Sequence, residues 1–292
     1  MDGGAAERQG MKQVTVEVDG LPVSVWTAGE SGSVVVLIHG GGVDSALLSW
    51  REALPFLAQN HRVYAPDLPG YGGTPFRRGT GTLEYYLAFL EELLQVLGLP
   101  RVNLAGISMG GSISLGYTLR NPSRVESLVM VDSYGLAEKT PAHFLSWLTI
   151  KTPGLVNMSY AMMRKNRAML RWSTRSLLGG PELLTDDILE ELAGAIADPD
   201  AARAFSEFQQ DELKINGLKT CYMERLHEIT APTLVVHGSE DTLVPLKYAI
   251  EAARRIPGSK LEVMDGAGHW PMRARPEQFN LLLESFYLSL SI

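Results

Sequence analysis

Ser108, Asp241 and His269 are the three side chains whose types could together perform covalent hydrolysis. A serine hydroxyl is a poor nucleophile near neutral pH and needs an imidazole to take its proton. The imidazole in turn needs a carboxylate on its other nitrogen, to fix the tautomer and stabilise the imidazolium. Ser108 stands in Gly106-Ile107-Ser108-Met109-Gly110, which fits G-x-S-x-G. In that pattern a strand turns abruptly into a helix and lifts the serine onto the tip. The turn is strained, so its flanks must lack bulk, and Gly106 and Gly110 meet that need. Taken alone, the pentapeptide also fits a glycine-rich turn with an incidental serine. His269 follows Gly266-Ala267-Gly268, a loop free enough to fold over Ser108. A further glycine run, His39-Gly40-Gly41-Gly42, can aim backbone N–H groups at a ligand.

Strands must carry these loops. Gln13–Val18 alternates like a half-buried strand, Asp19-Gly20 is a hairpin turn, and Pro22–Thr27 answers it. Ser33–Ile38 is a β-branched run that leads straight into His39. Asp44–Ala58 has helical spacing, Arg62–Ala65 reads as a strand, and Leu83–Leu97 as an amphipathic helix ended by Gly98 and Pro100. After the strand and helix around Ser108, Val125–Val131 is another buried strand with Asp132 at its tip. Strand and helix alternate with short links, which predicts a doubly wound, mostly parallel sheet with ligands at the carboxyl ends of its strands.

Over residues 135–228 strand signals vanish and several helices replace them. This stretch is expected to be an inserted helical cap, with 13–134 and 229–292 as the core. Bulky residues such as Phe144, Trp147, Met158, Met162, Met163, Met169 and Trp172 should partly line a cavity beneath it. Alternation resumes with the strand Pro232–Val236, the helix Tyr248–Arg255, the strand Lys260–Met264 and the helix Pro276–Tyr287.

Composition sets the bounds. A chain of 292 residues with net charge −7 shows no Lys/Arg cluster, which argues against nucleic acid or an anionic membrane as the main partner. One cysteine, Cys221, excludes an internal disulfide and suits a reducing, cytoplasmic setting. Met1–Gly10 has no apolar core, so residues 1–12 are expected to be a disordered tail rather than a secretory signal. No apolar run approaches the ~20 residues of a membrane span. His61, His143, His227 and His237 lack metal-ligand spacing, and there is neither a Walker lysine nor a G-x-G-x-x-G. No metal and no cofactor are expected, and an oligomer is left open.

With four motifs placed at strand ends, the chain resembles the α/β-hydrolases from Gln13 onward. His39-Gly40-Gly41-Gly42 is similar to their oxyanion segment and Gly106–Gly110 to their nucleophile elbow. Gly238-Ser239-Glu240-Asp241-Thr242-Leu243-Val244-Pro245 is similar to their acid loop, and Gly268-His269 to their histidine loop. The resemblance implies a nucleophile at Ser108, an acid at Asp241 and a base at His269. It implies an oxyanion hole from the amides of Met109 and Gly41, with Gly42 as a neighbour. His39 is then structural, and Asp67 before Pro69-Gly70 belongs to a family turn. Asp132 is the competing acid, since some relatives carry theirs after that strand. Haloalkane dehalogenases and epoxide hydrolases are disfavoured, because they place Asp where Ser108 stands.

The substrate expected is a small to medium, uncharged carboxylic ester cleaved through an acyl-enzyme, in a pocket shaped by Trp147, Met162, Trp172 and Trp270. A second reading is carbon–carbon hydrolysis of dienoates, since the cap, Trp270 and Pro276-Glu277-Gln278-Phe279-Asn280 resemble the meta-cleavage product hydrolases. Three departures oppose it. Gly42-Val43-Asp44 replaces a Gly-Pro-Gly, Ile107 stands where an Asn precedes the nucleophile, and Leu192 falls where a cap arginine pairs with the substrate carboxylate. Arg164, Arg167, Arg171 or Arg175 could supply that cation instead. A third reading, of another class, is a non-catalytic binding protein on the same fold.

Overall fold

The computed structural model describes residues 10–290. The expected tail falls largely outside that range, but Met11 is buried and Lys12 already belongs to the first strand, so order begins earlier than residue 13.

The hairpin β1 (Lys12–Val18) and β2 (Leu21–Ala28) turns at Asp19-Gly20, both with positive φ. β3 (Ser33–Ile38) follows, then two short helices, α1 (Ala46–Trp50) and α2 (Ala53–Leu57). A single helix was expected there. Pro55 has no N–H to offer the carbonyl of Arg51, and its ring crowds that turn, which splits the helix. Next come β4 (His61–Pro66), α3 (Leu83–Val96), β5 (Val102–Ile107), α4 (Met109–Arg120) and β6 (Val125–Val131). Thr82 caps α3 by accepting from the N–H of Tyr85.

A helical excursion then leaves the sheet. It comprises α5 (His143–Lys151), α6 (Leu155–Lys165), α7 (Arg167–Thr174), α8 (Asp186–Ala197) and α9 (Pro199–Glu212). It also holds a small ribbon, β7 (Leu213–Lys214) with β8 (Gly217–Leu218), where no strand was expected. Two residues per strand are too few to show alternation. The chain returns through β9 (Thr233–Gly238), α10 (Leu246–Arg255), β10 (Lys260–Met264), α11 (Pro271–Ala274) and α12 (Pro276–Ser289).

The eight-stranded sheet has the order β1-β2-β4-β3-β5-β6-β9-β10. The hairpin is antiparallel and everything from β4 to β10 is parallel. Period-two alternation sends the side chains of β3 into two cores. Val35 and Leu37 pack with α1, α2 and α12 on one face, and Val34, Val36 and Ile38 with α3, α4 and α10 on the other. Register sets the geometry of the site: Ile38 pairs with Gly106, Ile107 with Val131, Val131 with Val236, and Gly238 with Met264. Five strands therefore end in one row. Chain direction across the sheet reverses between β3 and β5, where such sheets bind ligands.

Candidate active site

At the end of β5, Ser108 has φ 51° and ψ −116°, a conformation that costs a non-glycine residue of order 1–3 kcal/mol. Its neighbours hold it there. The Ser108 N–H donates to the Val131 carbonyl, and the Ser108 carbonyl accepts from the N–H groups of Ser112 and Tyr134. A methyl on Gly106 would meet the Gly110 carbonyl at 2.2 Å, and one on Gly110 would meet Ile38 and His39 carbonyls at 2.3 and 2.4 Å. The two glycines are thus required by close backbone approach. Ser108 is partly open to solvent, while the helix that follows it is buried over most of its length.

Asp241 and His269 come from separate loops, after β9 and β10, and meet below the surface. Nδ1 of His269 lies 2.8 Å from Oδ2 of Asp241. Oδ1 of Asp241 accepts from the N–H groups of Leu243 (2.7 Å) and Val244 (3.1 Å). Burial opposes ionisation of Asp241, but the hydrogen bond and charge of His269, with the bonds from Asp132 and Val244, outweigh it and hold this carboxyl below the usual range.

Asp132 is fully buried, with φ 41°, and its Oδ1 accepts from the Gly238 N–H at 3.0 Å. Its Oδ2 has no hydrogen-bond partner among the described residues. Burial, and then the neighbouring charge of Asp241, push its carboxyl well above the ordinary value. Two buried carboxyls side by side do not both ionise. The opposite shifts favour the proton on Asp132, in position to donate to Asp241 from behind. His237, expected to be unremarkable, joins this group. Its Nε2 donates to the Val244 carbonyl at 2.8 Å and lies 3.5 Å from Asp132 and 3.7 Å from Asp241. Burial lowers its pKa, so it stays a neutral strut for the acid loop.

Asp132, Asp241 and His269 also bring ligand-type atoms within 4.8 Å of one another. A cation placed there would have to displace the bond between Asp241 and His269.

The His39–Gly42 loop sits beside Ser108. The Leu68 N–H donates to Nε2 of His39 at 2.9 Å, which leaves the proton on Nδ1, donated to the Gly40 carbonyl at 2.7 Å. Burial lowers the His39 pKa to about 4, so this imidazole is a neutral brace, as expected. Sequence reasoning gave Asp44 no role. It accepts from the N–H groups of Gly40 (2.7 Å) and Ser45 (2.8 Å) and from the Ser49 hydroxyl, and so ties the loop to α1. Burial raises its pKa to about 7 against those bonds. An acid just before Ser45, the side chain that caps α1, was the available signal. Asp67 ties the same region together through Ser24, Ala46 and Gly73.

Among the described residues the Gly41 N–H has no acceptor, and Met109 opens α4, where an N–H has no intrahelical acceptor. Gly42 adjoins them with positive φ. The excursion reaches this loop. A methyl on Gly41 would strike the ring of Phe205 on α9 at 2.7 Å, and one on Gly42 would stand 3.5 Å from the Tyr160 hydroxyl. Neither aromatic was singled out in advance, because their own helices carry no pocket signal.

The expected pocket residues are mostly elsewhere. Trp172 is 64% exposed, Met162 48% exposed, and Trp147 stacks on the exposed Phe144. Met162 and Trp172 lie toward the outer side of the excursion, since Tyr160 and Leu170 take the buried faces of α6 and α7, whereas Trp147 is half-buried, one turn from the buried Ile150. Trp270 is buried in the core, and its backbone N–H donates to the Leu177 carbonyl. None of the four arginines offered for a substrate carboxylate is aimed inward. Arg167 pairs with Glu190, Arg171 with Asp186, Arg175 lies over Trp172, and Arg164 is exposed. Leu192 is buried. A cavity of about 340 Å³ opens beside Asp44, lined also by Glu190, Glu191, Asp198, Ser45 and Leu48.

The family model described as alpha/beta hydrolase fold matches residues 33–273. The chain is 30% identical to 2-hydroxy-6-oxo-2,4-heptadienoate hydrolase of Pseudomonas putida, over 88% of this chain and 89% of that one. Among solved structures it is similar to a serine hydrolase from the polyaromatic-hydrocarbon-degrading bacterium Cycloclasticus zankles, with 26% identity, a TM-score of 0.78, and 95% and 98% of the two chains covered. It is also similar to a serine hydrolase involved in carbazole degradation, with 26% identity, a TM-score of 0.80, and 96% and 99% covered.

Proposed function

Because the chain belongs to the α/β-hydrolase-fold family, we propose that it is a serine hydrolase in which Ser108, His269 and Asp241 cleave uncharged carboxylic esters through an acyl-enzyme. Ser108 Oγ attacks the ester carbonyl carbon while Nε2 of His269 takes its proton. Asp241, backed by Asp132, stabilises the resulting imidazolium. The tetrahedral oxygen collects the amides of Gly41 and Met109, donors typically worth ~3–4 kcal/mol each. Collapse expels the alcohol, which receives the proton from His269, and water then releases the acid by the same steps. The helical excursion, residues 135–228, serves as a cap that brings Phe205 and Tyr160 against the oxyanion loop.

One observation carries the preference for uncharged substrates. Every arginine considered for a substrate carboxylate is paired with an acid or turned outward. A substrate carboxylate buried near Ser108 would then lack a cationic partner, a cost of several kcal/mol. The second reading, carbon–carbon hydrolysis of a dienoate, is favoured by the heptadienoate hydrolase at 30% identity. A panel of p-nitrophenyl esters from acetate to palmitate, run beside a meta-cleavage dienoate, separates the two. The best ester is expected to exceed the dienoate in kcat/KM. A dienoate about a hundredfold better than any ester would replace the first reading with the second.

A further inference from the structure

The net charge of −7 conceals a segment of the opposite sign. Between Lys139 and Arg175 there are seven Lys and Arg residues and no Asp or Glu. They are too dispersed to form a run, and the helices of the excursion gather them. The same periodicity recurs on three helices: Phe144, Leu148 and Lys151 on α5, Met158, Met162 and Lys165 on α6, and Ala168, Trp172 and Arg175 across α7 and its end. Each set is i, i+4, i+7, one stripe of a helix, and all nine residues are exposed. α6 packs against both α5 and α7, so the three exposed stripes belong to one group of helices.

Two of the seven cations are neutralised from α8, Arg171 by Asp186 and Arg167 by Glu190. Lys139, Lys151, Arg164, Lys165 and Arg175 have no carboxylate within ion-pair distance among the described residues. Lys151 reaches only the Gln210 carbonyl, and Arg175 rests on the Trp172 ring, 4.4 Å from its centre. The face thus combines large apolar side chains, Phe144 and Trp172 among them, with a surplus of unpaired positive charge.

From this combination we propose that the outer face of α5, α6 and α7 docks on an anionic lipid surface. Phe, Leu, Met and Trp side chains enter the acyl boundary while Lys and Arg meet the headgroups, the arrangement of an interfacial amphipathic helix. A second copy of the same face fits poorly, since a two-fold contact would set cations against cations. Nucleic acid would satisfy the charges but leave the Leu and Met side chains in water. The proposal is independent of which bond Ser108 cleaves. No helix among the described residues is long and apolar enough to cross a membrane, so the contact is peripheral.

The test is sedimentation of the whole chain with vesicles of phosphatidylcholine alone and of phosphatidylcholine with phosphatidylglycerol. Binding is expected only to the anionic vesicles, and it should weaken as salt screens the charges. Two exposed double variants separate the contributions, Phe144→Ser with Leu148→Ser and Lys151→Glu with Lys165→Glu. Each should weaken partitioning at least about tenfold while turnover of a soluble ester is unchanged. Equal binding to neutral vesicles, no binding to either, or partitioning unaffected by both variants would overturn the proposal. So would a dimer in solution that the Phe144→Ser, Leu148→Ser variant dissociates.

Discussion

The row of strand ends and the outer face of the helical excursion break the usual inside–outside rule in opposite ways. At the strand ends, His39, Asp44, Asp67, Asp132, His237, Asp241 and His269 are buried polar groups held by backbone and by one another. On the excursion, Phe144, Leu145, Leu148, Met158, Met162 and Trp172 are large apolar groups left in water. Each such side chain forgoes roughly 1.5–3 kcal/mol that burial would contribute. Exceptions of both kinds are the informative ones. The first region has a rigid polar network whose partners lie inside the chain, which suits chemistry. The second has surface whose partner lies outside it, which suits docking.

Substitutions at the strand ends should sharpen that contrast most. Ser108→Ala is expected to lower ester kcat by about 10⁴-fold or more and to abolish labelling by a fluorophosphonate. Near-normal turnover would remove the serine mechanism. Asp241→Asn should lower kcat by about 10³–10⁴-fold, because the His269 tautomer is lost. Asp132→Asn should stay within about tenfold of the parent, since the amide can still donate to Asp241. Reversal of these two effects would make Asp132 the acid.

Next in size is an effect of pH on stability. The folded-state pKa of His39 lies near 4, below its ordinary 6.5, so the unfolded chain binds the proton first. Its contribution is complete above pH 6.5 and is lost as pH falls toward 4, about 3 kcal/mol in all. Urea unfolding at pH 7 and pH 4.5 should reveal that slope, and His39→Asn should flatten it. The smallest effect belongs to the other region. Trp172→Ala should change unfolding free energy by no more than about 0.5 kcal/mol and leave ester kcat/KM unaltered, because the ring is exposed. A large loss of activity there would return Trp172 to the substrate pocket.

Much of the core was legible because its signals are local. Val34 to Ile38 alternate between two cores, and Gly106 and Gly110 announce a turn that tolerates no side chain. Asp19-Gly20 was readable as a hairpin for the same reason. The break at Pro55 was also present in the sequence, but helical spacing across Asp44–Ala58 masked it. The pocket residues misled because Met and Trp at helical spacing mark an apolar face without saying whether it turns inward.

The sequence by itself determined the alternation of strand and helix, the glycine turns and the candidate groups on separate loops. These depend on backbone sterics and on periodicity within a few residues. Only the tertiary structure decided which acid meets His269, that Asp132 and His237 stand behind it, and that Asp44 ties down the His39–Gly42 loop. It also turned Trp172 and Met162 outward and brought Phe205 over Gly41. Those outcomes depend on strand register and on which helix face finds a neighbour. Both are set by contacts between residues far apart in the chain, and no local pattern records them.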